Sequence, residues 1–454
     1  MPSINVKASG ALIAALISSN CVAAGTTEPL AEGTAFRSVF GDSLERDYGI
    51  TISGLLDVGL SLNNNSSSKD RESGLTNSPL TGISDEGFEL EGLHLFVDKS
   101  IKTTEFLRVT PLPGPAPTEA SFGFTMETFY GRNAQNSRLY GWDTHWGINS
   151  PGDDDADKAR RDKQNFLSTP NLAATAYLPY AGGFTLMAGI FGSGIGYEIP
   201  ANVKVARNPF ATHSYAMIAE AGSMAGVMAG TRLIANKDML LGVEFGVVQG
   251  QGNLRDNNDE KSVIGAVRWR TADMNTWIDY EFMLGDSQND SFKDVQTPKG
   301  RITSPDGQFK QFHSLNGWHK FDQNWSMGAE VLYGRQDGDG KPTTIDVITG
   351  PGFNGASWWG ANAVVTYQIR KDLSFSNRVE HFDDKDGYIQ FPASTARGSY
   401  NAVTTGFRYD VNKYLVLRPE LRYDWFDARE HDRPYGSGDS RNQLTGTVEA
   451  LFYF

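Results

Sequence analysis

The sequence predicts an all-β fold, an antiparallel transmembrane β-barrel of about 16 strands. Three observations lead to this fold class. Short segments in which apolar and polar residues alternate recur along most of the chain. The connections between these segments alternate between short and long. The chain has no apolar run of roughly 18 residues that could form a membrane-spanning helix, and its mean hydropathy of −0.39 suits strands that turn only alternate residues to lipid.

The alternation is clearest near the C-terminus, in a segment that begins at Tyr414. Leu417, Leu421 and Tyr423 fall on one face of this predicted strand, and the charged residues between them fall on the other. Charged side chains that face lipid each cost about 2–4 kcal/mol near the bilayer midplane, so the charged face must point inward. We expect comparable strands to begin near residues 50, 88, 120, 171, 183, 223, 238, 262, 274, 308, 324, 355, 371, 399, 413 and 442. The segment near residue 88 changes phase at Gly92, which indicates a β-bulge.

The connections have two lengths, and the two lengths alternate. The short ones predict tight turns at 181–183, 235–238, 271–273, 321–323, 370–372 and 410–412. The long ones predict polar loops at 63–86, 131–170, 193–222, 251–261, 286–307, 336–354, 384–398 and 428–440. Transmembrane barrels have short periplasmic turns and long extracellular loops, and an even number of strands places both termini in the periplasm.

The N-terminus has the pattern of a secretory signal peptide. Lys7 is followed by a short apolar run, 11–17, and then by small residues at 22–24. We expect cleavage after Ala24, with Ala23 as the alternative site. The only cysteine, Cys21, then leaves with the signal peptide, or is the lipidated cysteine of a lipoprotein. The domain prediction is a signal peptide at 1–24, a periplasmic segment at 25–47 that forms a short helix or a plug, and a barrel at 48–454.

The last predicted strand ends on Leu451-Phe452-Tyr453-Phe454. Reading back from Phe454, every second residue is apolar or small, which gives the strand one lipid-facing side. Chain ends of soluble domains usually fray into water and seldom finish on three aromatic residues. This ending resembles the C-terminal strand of bacterial outer-membrane barrels. The resemblance implies that Phe454 and Phe452 act as the signal read by the barrel assembly machinery.

Several segments of the chain, taken together, resemble one family, the putative β-barrel porin-2 family of Gram-negative bacteria. The segments that carry the likeness are 54–59 in the first strand, 90–95 in the second, 122–131 in the third, and then 176–192, 194–198, 208–210 and 214–215. The resemblance covers most of the chain beyond residue 48 and is densest over 48–235. It implies an outer-membrane porin, a water-filled channel for passive diffusion of ions and small polar solutes.

In 16-stranded porins the third external loop folds into the barrel, and the corresponding loop here is 193–222. We expect Glu198, Lys204, Arg207 and His213 to form a constriction, with the charges of Glu198 and Arg207 setting selectivity. The alternative is that this loop seals the barrel or braces its wall.

Charged residues with inward parity predict a charge-lined lumen. Opposed rows of charge order water and sort polar solutes, whereas cross-strand ion pairs would only satisfy one another. The loops are acidic, so we expect a weak preference for cations. The predicted lumen-lining residues are Arg232, Arg268, Arg270, Arg378, Arg408, Arg418, Arg422, Glu244, Asp279, Glu281, Glu330, Glu380, Asp410, Glu420 and Asp424.

Other functions are weaker interpretations of the same sequence. A substrate-specific channel with a plugged or gated lumen is the first alternative, and a barrel enzyme is the second. His213 and Ser214 are adjacent, but neighbours in an extended segment point apart, so no catalytic pair is predicted. The acidic run 153–157 lacks the glycine and the final glutamate of a calcium loop, so we expect no metal and no cofactor. The net charge of −13 argues against nucleic acid. The expected partners are outer-membrane lipid, lipopolysaccharide, the assembly machinery, small polar solutes and two further copies in a homotrimer.

Overall fold

The protein is described from a computed structural model. The described residues are 33–65, 87–146, 165–198, 208–220, 222–256, 259–286, 296–297, 300–301, 308–338, 355–389, 396–429, 431–436 and 438–454. The predicted signal peptide and the acidic run 153–157 lie outside these residues. Within them, no helix is long and apolar enough to cross a membrane.

Sixteen antiparallel strands in the described part of the chain close into one barrel, in which each strand pairs with its neighbours in sequence and the last pairs with the first. The strands are β1 Ile50–Asn63, β2 Gly87–Lys99, β3 Ser121–Gly131, β4 Phe166–Leu178, β5 Phe184–Gly192, β6 Ser223–Ala235, β7 Met239–Val248, β8 Ser262–Thr271, β9 Thr276–Asp286, β10 Phe309–Lys320, β11 Trp325–Asp337, β12 Gly355–Arg370, β13 Leu373–Asp384, β14 Gly398–Asn412, β15 Leu415–Ala428 and β16 Asn442–Tyr453.

These strands confirm the predicted fold class, and most begin within two residues of the predicted start. The expected bulge at Gly92 is present, because Asp57 pairs with Gly92 while Val58 pairs with Leu90. The exception is β4, which begins at Phe166 rather than near 171. Its first half contains Pro170 at a break in the register with β3, and proline in a strand is tolerated at such irregular sites. Pro170 interrupts the alternating pattern, so the pattern did not predict the first residues of β4.

Three short helices are the other regular elements that bear on the interior and the termini. They are α1 Thr34–Phe40 and α2 Ser43–Tyr48, which precede the barrel, and α3 Tyr215–Ala219, within the third long loop. Single 3-10 turns lie at Asn133–Ser137, Asp143–His145 and Tyr180–Gly182, and two-residue strands pair at Gln296–Thr297 with Gly300–Arg301 and at Glu105–Phe106 with Thr110–Pro111.

The two faces of the wall differ as the alternation predicts. On β15, Leu421 and Tyr423 point outward with 48% and 45% of their surface exposed, whereas Arg418 and Arg422 point inward and are fully buried. Inward apolar side chains form a cluster towards the long-loop end, into which Tyr215 of α3 packs. The wall members of this cluster are Met224, Met228, Ile264, Met283, Phe312, Leu332, Trp358, Phe382, Tyr400 and Phe426. The barrel therefore contains a packed apolar layer inside its own lumen.

One connection at the short-turn end departs from the expectation of short turns throughout. Residues 100–120 join β2 to β3, and their middle part, 103–112, folds onto the inner surface of the wall. We call residues 103–112 the inner strap. Its apolar side chains Leu107 and Leu112 are 4% and 5% exposed. Burial of these two side chains explains why the connection enters the barrel, since apolar surface removed from water is stabilising.

Candidate functional site

The third long loop, 193–222, lies inside the barrel and contacts the opposite wall. It leaves β5 at Gly192, and its Gly196 backbone N–H donates to Glu281 of β9 at 2.7 Å. Further along the loop, the Ala211 N–H donates to Glu420 of β15 at 2.7 Å. These strands lie on different parts of the wall, so the loop crosses the lumen rather than projecting outward. The geometry favours a constriction or a seal, the two roles expected from the sequence.

Glu198 is the centre of the loop's attachment to β13. Its carboxylate accepts hydrogen bonds from the Arg378 Nη1 at 2.6 Å, the Ser214 backbone N–H at 2.7 Å and the Ser214 hydroxyl at 2.9 Å. The His213 Nδ1 lies 3.6 Å from the same carboxylate. Burial opposes the charged form, but the Arg378 guanidinium and these donors outweigh burial and hold the pKa of Glu198 well below its usual range. Glu198 is thus a buried, ionised anchor.

Three arginines of the wall donate hydrogen bonds to the backbone around His213. Arg378 Nη1 donates to the Thr212 carbonyl at 2.7 Å, and Arg422 Nη1 donates to the His213 carbonyl at 2.8 Å. Arg418 Nη1 donates to the Asn208 carbonyl at 2.7 Å. Hydrogen bonds from charged donors are roughly twice as strong as neutral ones, so these arginines attach the loop backbone strongly to the wall.

Helix α3 completes the attachment with a network of buried hydroxyls. The Tyr215 N–H donates to Glu380 at 2.7 Å, and the Tyr215 hydroxyl donates to Asp424 at 2.9 Å. The hydroxyl of Tyr435, from the last long loop, lies 2.7 Å from that of Tyr215. Burial and then the Asp424 carboxylate raise the pKa of Tyr215 well above its ordinary value, so the phenol stays neutral. The third and last long loops are joined inside the barrel by these two phenols.

The four predicted constriction residues have different outcomes. Glu198 and His213 come together as described, and both are almost completely buried. Lys204 and Arg207 lie outside the described residues. The expectation that the charges of Glu198 and Arg207 set selectivity stays a prediction, and Glu198 pairs with Arg378.

The predicted lumen-lining charges all have the inward orientation that alternation gave them, but they do not line an open surface. All of them except Arg232 are buried, with at most 7% of their surface exposed. The charges are satisfied by one another and by the third loop and the inner strap. The structure therefore favours the alternative of mutual ion pairs over free rows of charge for these side chains.

Two clusters account for most of these ion pairs. Around Arg268, its guanidinium contacts Glu244 at 2.9 Å, Asp279 at 2.6 Å and Glu281 at 2.5 Å. A second cluster links Arg422 to Glu380 at 2.9 Å and to Asp424 at 2.8 Å. The remaining predicted charges pair or hydrogen bond as Arg270 with Asp279, Arg408 with Asp410, Arg418 with Glu449, Arg232 with the Leu112 carbonyl, Glu330 with Ser314 and Asn362, and Glu420 with Ala211 and Thr212.

Several interior charges were missed by the sequence interpretation. Asp57, Glu91 and Glu449 lie on three consecutive strands, β1, β2 and β16, and each is at most 2% exposed. Within the described part of the chain, no donor reaches either carboxylate oxygen of Asp57 or Glu91. The inward orientation of Asp57 and Glu449 could have been predicted from the sequence, because each lies between two outward apolar residues. For Glu91 the bulge at Gly92 breaks the parity, so alternation could not assign a face.

Glu220, at the end of the third loop, is a further buried carboxylate without a donor among the described residues, and it is 5% exposed. Its carboxyl group packs over Gly196, where an added Cβ would lie 2.1 Å from the carboxyl carbon. Burial and then the neighbouring Glu330 carboxylate raise the pKa of Glu220 well above its ordinary value. The two ends of the third loop therefore meet at the Glu220 carboxyl group, which favours its neutral form.

The C-terminal aromatic residues occupy defined places on the barrel. Phe454 exchanges backbone hydrogen bonds with Gly54, at 3.0 Å for the Phe454 N–H and 2.8 Å for the Gly54 N–H. The Phe454 ring lies against Gly54 and stacks on Phe36 of α1 at 5.9 Å. Phe452 points outward and is 39% exposed. These contacts close the sheet at its seam and leave their role as an assembly signal a prediction.

The comparisons with known proteins agree with the barrel. A family model described as "Putative beta-barrel porin-2, OmpL-like" matches residues 49–454. No curated protein matches the chain. Among solved structures, the outer membrane channel DcaP of Acinetobacter baumannii is 11% identical, with a TM-score of 0.50 over 89% of this chain and 97% of that one. OprB of Pseudomonas putida, solved at high pH, is also 11% identical, with a TM-score of 0.51 over 94% of this chain and 99% of that one. At this identity the two structures show a shared fold alone.

Proposed function

The chain belongs to the putative β-barrel porin-2, OmpL-like family and is an outer-membrane protein of the porin type, and we propose that its channel passes ions and small polar solutes by passive diffusion with a weak preference for cations. The matched region begins at the first strand and runs to the last residue, so the family assignment rests on the whole barrel. The family's description as a porin supports a channel rather than an enzyme.

The observation that supports the cation preference is that, after the interior charges have paired, some carboxyl groups remain without a cationic partner among the described residues. Six of the predicted interior arginines contact a carboxylate, namely Arg268, Arg270, Arg378, Arg408, Arg418 and Arg422, and Arg268 alone contacts three. Asp57, Glu91 and Glu220 keep carboxylate oxygens that no donor among the described residues reaches. Closely paired opposite charges largely cancel at a distance, whereas an isolated charge does not. At a pH high enough to ionise these carboxyl groups the net field in the interior is therefore negative, and it attracts cations.

The proposal is tested by conductance of the refolded protein in planar bilayers, with the reversal potential measured under a potassium chloride gradient. We expect steady openings and a reversal potential displaced towards the potassium equilibrium value. A reversal potential on the chloride side contradicts the cation preference. Correctly folded, heat-modifiable protein that gives no current contradicts an open porin.

A second candidate is a substrate-specific channel whose lumen is gated, and one observation favours it. The inward charges are buried beneath the third loop and the inner strap, and an apolar layer fills the interior around α3. Swelling of liposomes in neutral sugars of increasing size separates the two functions. Graded exclusion by size supports the general porin, whereas exclusion of even the smallest sugar supports the gated channel.

The remaining partners and the orientation are part of the same proposal. Both termini face the periplasm, the C-terminal Phe452 and Phe454 are read by the assembly machinery, and the barrel forms a homotrimer in lipid and lipopolysaccharide. A depression of about 510 Å³ on the outer wall supports a neighbour there, because Gly446, at an outward position, contributes no side chain to it. Its apolar rim includes Leu60, Phe375, Phe407, Leu421 and Val448. Native mass measurement in detergent tests the trimer, and a monomer would contradict it.

A further inference from the structure

The inner strap, residues 103–112, is held on the inside of the wall by polar contacts from three strands. The Thr185 hydroxyl of β5 donates to the Glu105 carbonyl at 2.7 Å. The Arg108 backbone N–H donates to Glu244 of β7 at 2.9 Å. Arg270 of β8 donates from Nε to the Thr110 hydroxyl at 3.0 Å and from Nη2 to the Val109 carbonyl at 3.1 Å. Contacts that span β5 to β8 fix the strap along its whole length.

The wall is shaped to receive the strap. Glycines stand at the two inward positions on which the strap side chains rest. A Cβ at Gly230 would lie 2.5 Å from Leu107 Cδ2, and one at Gly242 would lie 2.3 Å from Glu105 Oε2. Real Cβ atoms do not approach so closely, so a larger residue at either place would push the strap into the lumen. The strap therefore packs as an inner layer on complementary positions of the wall.

The strap also touches the end of β5, where the third loop begins, through Arg108. Its Nη1 donates to the Gly192 carbonyl at 2.6 Å, and its guanidinium lies 5.6 Å from the centre of the Phe191 ring. A Cβ at Gly194 would lie 2.6 Å from the Arg108 Cβ. Arg108 adopts a left-handed backbone with φ of 65°, which residues other than glycine disfavour. Burial lowers the pKa of Arg108 to about 10, so the guanidinium is still protonated at neutral pH.

We propose that the inner strap is a second constriction element of this pore, one that enters from the short-turn end, and that Arg108 latches the third loop to it. The inference rests on the proposed channel function. The third loop narrows the lumen against β9 to β15, and the strap narrows it against β5 to β8. Pore conductance and selectivity then depend on both elements, and Arg108 places a positive charge on the strap.

The main experiment replaces residues 103–111 with a Gly-Ser linker of equal length, which keeps the connection but removes its anchors. We expect single-channel conductance to rise at least about twofold, since the bare wall leaves a wider lumen. A linker variant that folds and conducts like the wild type overturns the proposal. Folding is checked by the heat-modifiable mobility of the barrel.

Point variants test the latch if the linker variant fails to fold. Arg108→Ala removes the contacts to Gly192 and Phe191, and we expect larger and noisier openings because the point at which the third loop leaves β5 is no longer held. Lys102→Ala is the matched control, because this exposed residue adjoins the strap and uses only its backbone N–H, towards Ser121. Equal conductance in Arg108→Ala and the wild type overturns the latch.

A disulfide tests the position of the strap without any current. The hydroxyls of Thr103 and Thr185 lie 2.5 Å apart, so the double variant T103C/T185C brings two thiols together. The chain's own cysteine, Cys21, is in the predicted signal peptide. We expect complete cross-linking by mild oxidation, whereas free thiols after oxidation place the strap elsewhere and overturn the proposal. Because this readout is independent of conductance, a protein that cross-links but never conducts refutes the proposed porin function and not the position of the strap.

Discussion

Replacement of Arg378 by methionine should release the third loop, because this arginine is the principal cation that holds Glu198. The guanidinium contacts the Glu198 carboxylate at 2.6 Å and the Glu380 carboxylate at 3.2 Å, and it donates to the Thr212 carbonyl at 2.7 Å. Methionine keeps most of the side-chain volume and its packing on Phe210, over which the guanidinium now lies. The variant therefore removes the charge with little change in shape.

The expected magnitude follows from the burial of the pair. The Arg378 side chain is fully buried and that of Glu198 is 4% exposed, so water does not replace the lost contact. Removal of one partner of such a pair costs about 3–5 kcal/mol, since the other charge stays buried and uncompensated. Each 1.4 kcal/mol is a factor of ten in an equilibrium constant, so docking of the loop weakens by roughly two to three and a half orders of magnitude.

Two assays read the result. Single-channel conductance should increase as the loop leaves the lumen. When samples are heated to increasing temperatures before electrophoresis, the folded band should disappear at a lower temperature than in the wild type. Arg370→Met is the matched control, because Arg370 forms an exposed pair with Asp372 that water and salt screen. The double variant E198Q/R378M should lose less stability than the sum of the single variants, because neither charge is then left alone. Wild-type conductance and stability in Arg378→Met, or strict additivity in the double variant, would refute the anchoring role of Glu198.

Three further outcomes test other parts of the interior and the seam. Gly54→Ala should cost about 1–3 kcal/mol of barrel stability, because its Cβ would lie 2.1 Å from the Phe454 ring, and the thermal midpoint should recover in the double variant with Phe454→Ala. Glu220 has a raised pKa, so docking of the third loop is strongest at acid pH and weakens as the pH rises from the ordinary glutamate range through the raised pKa. Conductance should therefore rise as the pH increases above the ordinary glutamate range, and this rise should be smaller in Glu220→Gln. At alkaline pH, where carboxyl groups are ionised, Asp57→Asn should shift the reversal potential towards zero, whereas the exposed Glu119→Gln should leave it unchanged, and equal shifts would contradict a role for Asp57.

The wall of the barrel was predictable because its sequence pattern is local. Strand existence and the inward face of residues such as Arg418 and Arg422 follow from a period of two, which needs no knowledge of distant residues. The prediction was wrong about where β4 begins, because Pro170 and the register break interrupt the alternation there. The connection 100–120 was also outside the prediction, since the rhythm of short turns at that end gave no reason for a long one.

The interior was not predictable in the same way, because it depends on contacts between distant segments. The partners Glu198 and Arg378 are 180 residues apart, and nothing in either local sequence indicates the other. Alternation shows that a charge points inward, but only the path of the loops decides whether it meets water or a backbone carbonyl. Arg422, which donates to the His213 carbonyl, is such a case.

This distinction bears on how the selectivity of such a pore should be sought. Arg268 and its carboxylates, or Arg378 and Glu198, form pairs with atoms about 3 Å apart or closer, and the field of a close pair falls off faster with distance than that of a single charge. The paired residues are the most numerous inward charges, yet they act mainly to attach the third loop and the inner strap to the wall. Selectivity should instead respond to carboxylates that lack a donor, such as Asp57. A scan of substitutions across the interior should therefore divide into two classes, with variants of the pairs changing conductance and stability and variants of the unpaired carboxylates changing the reversal potential.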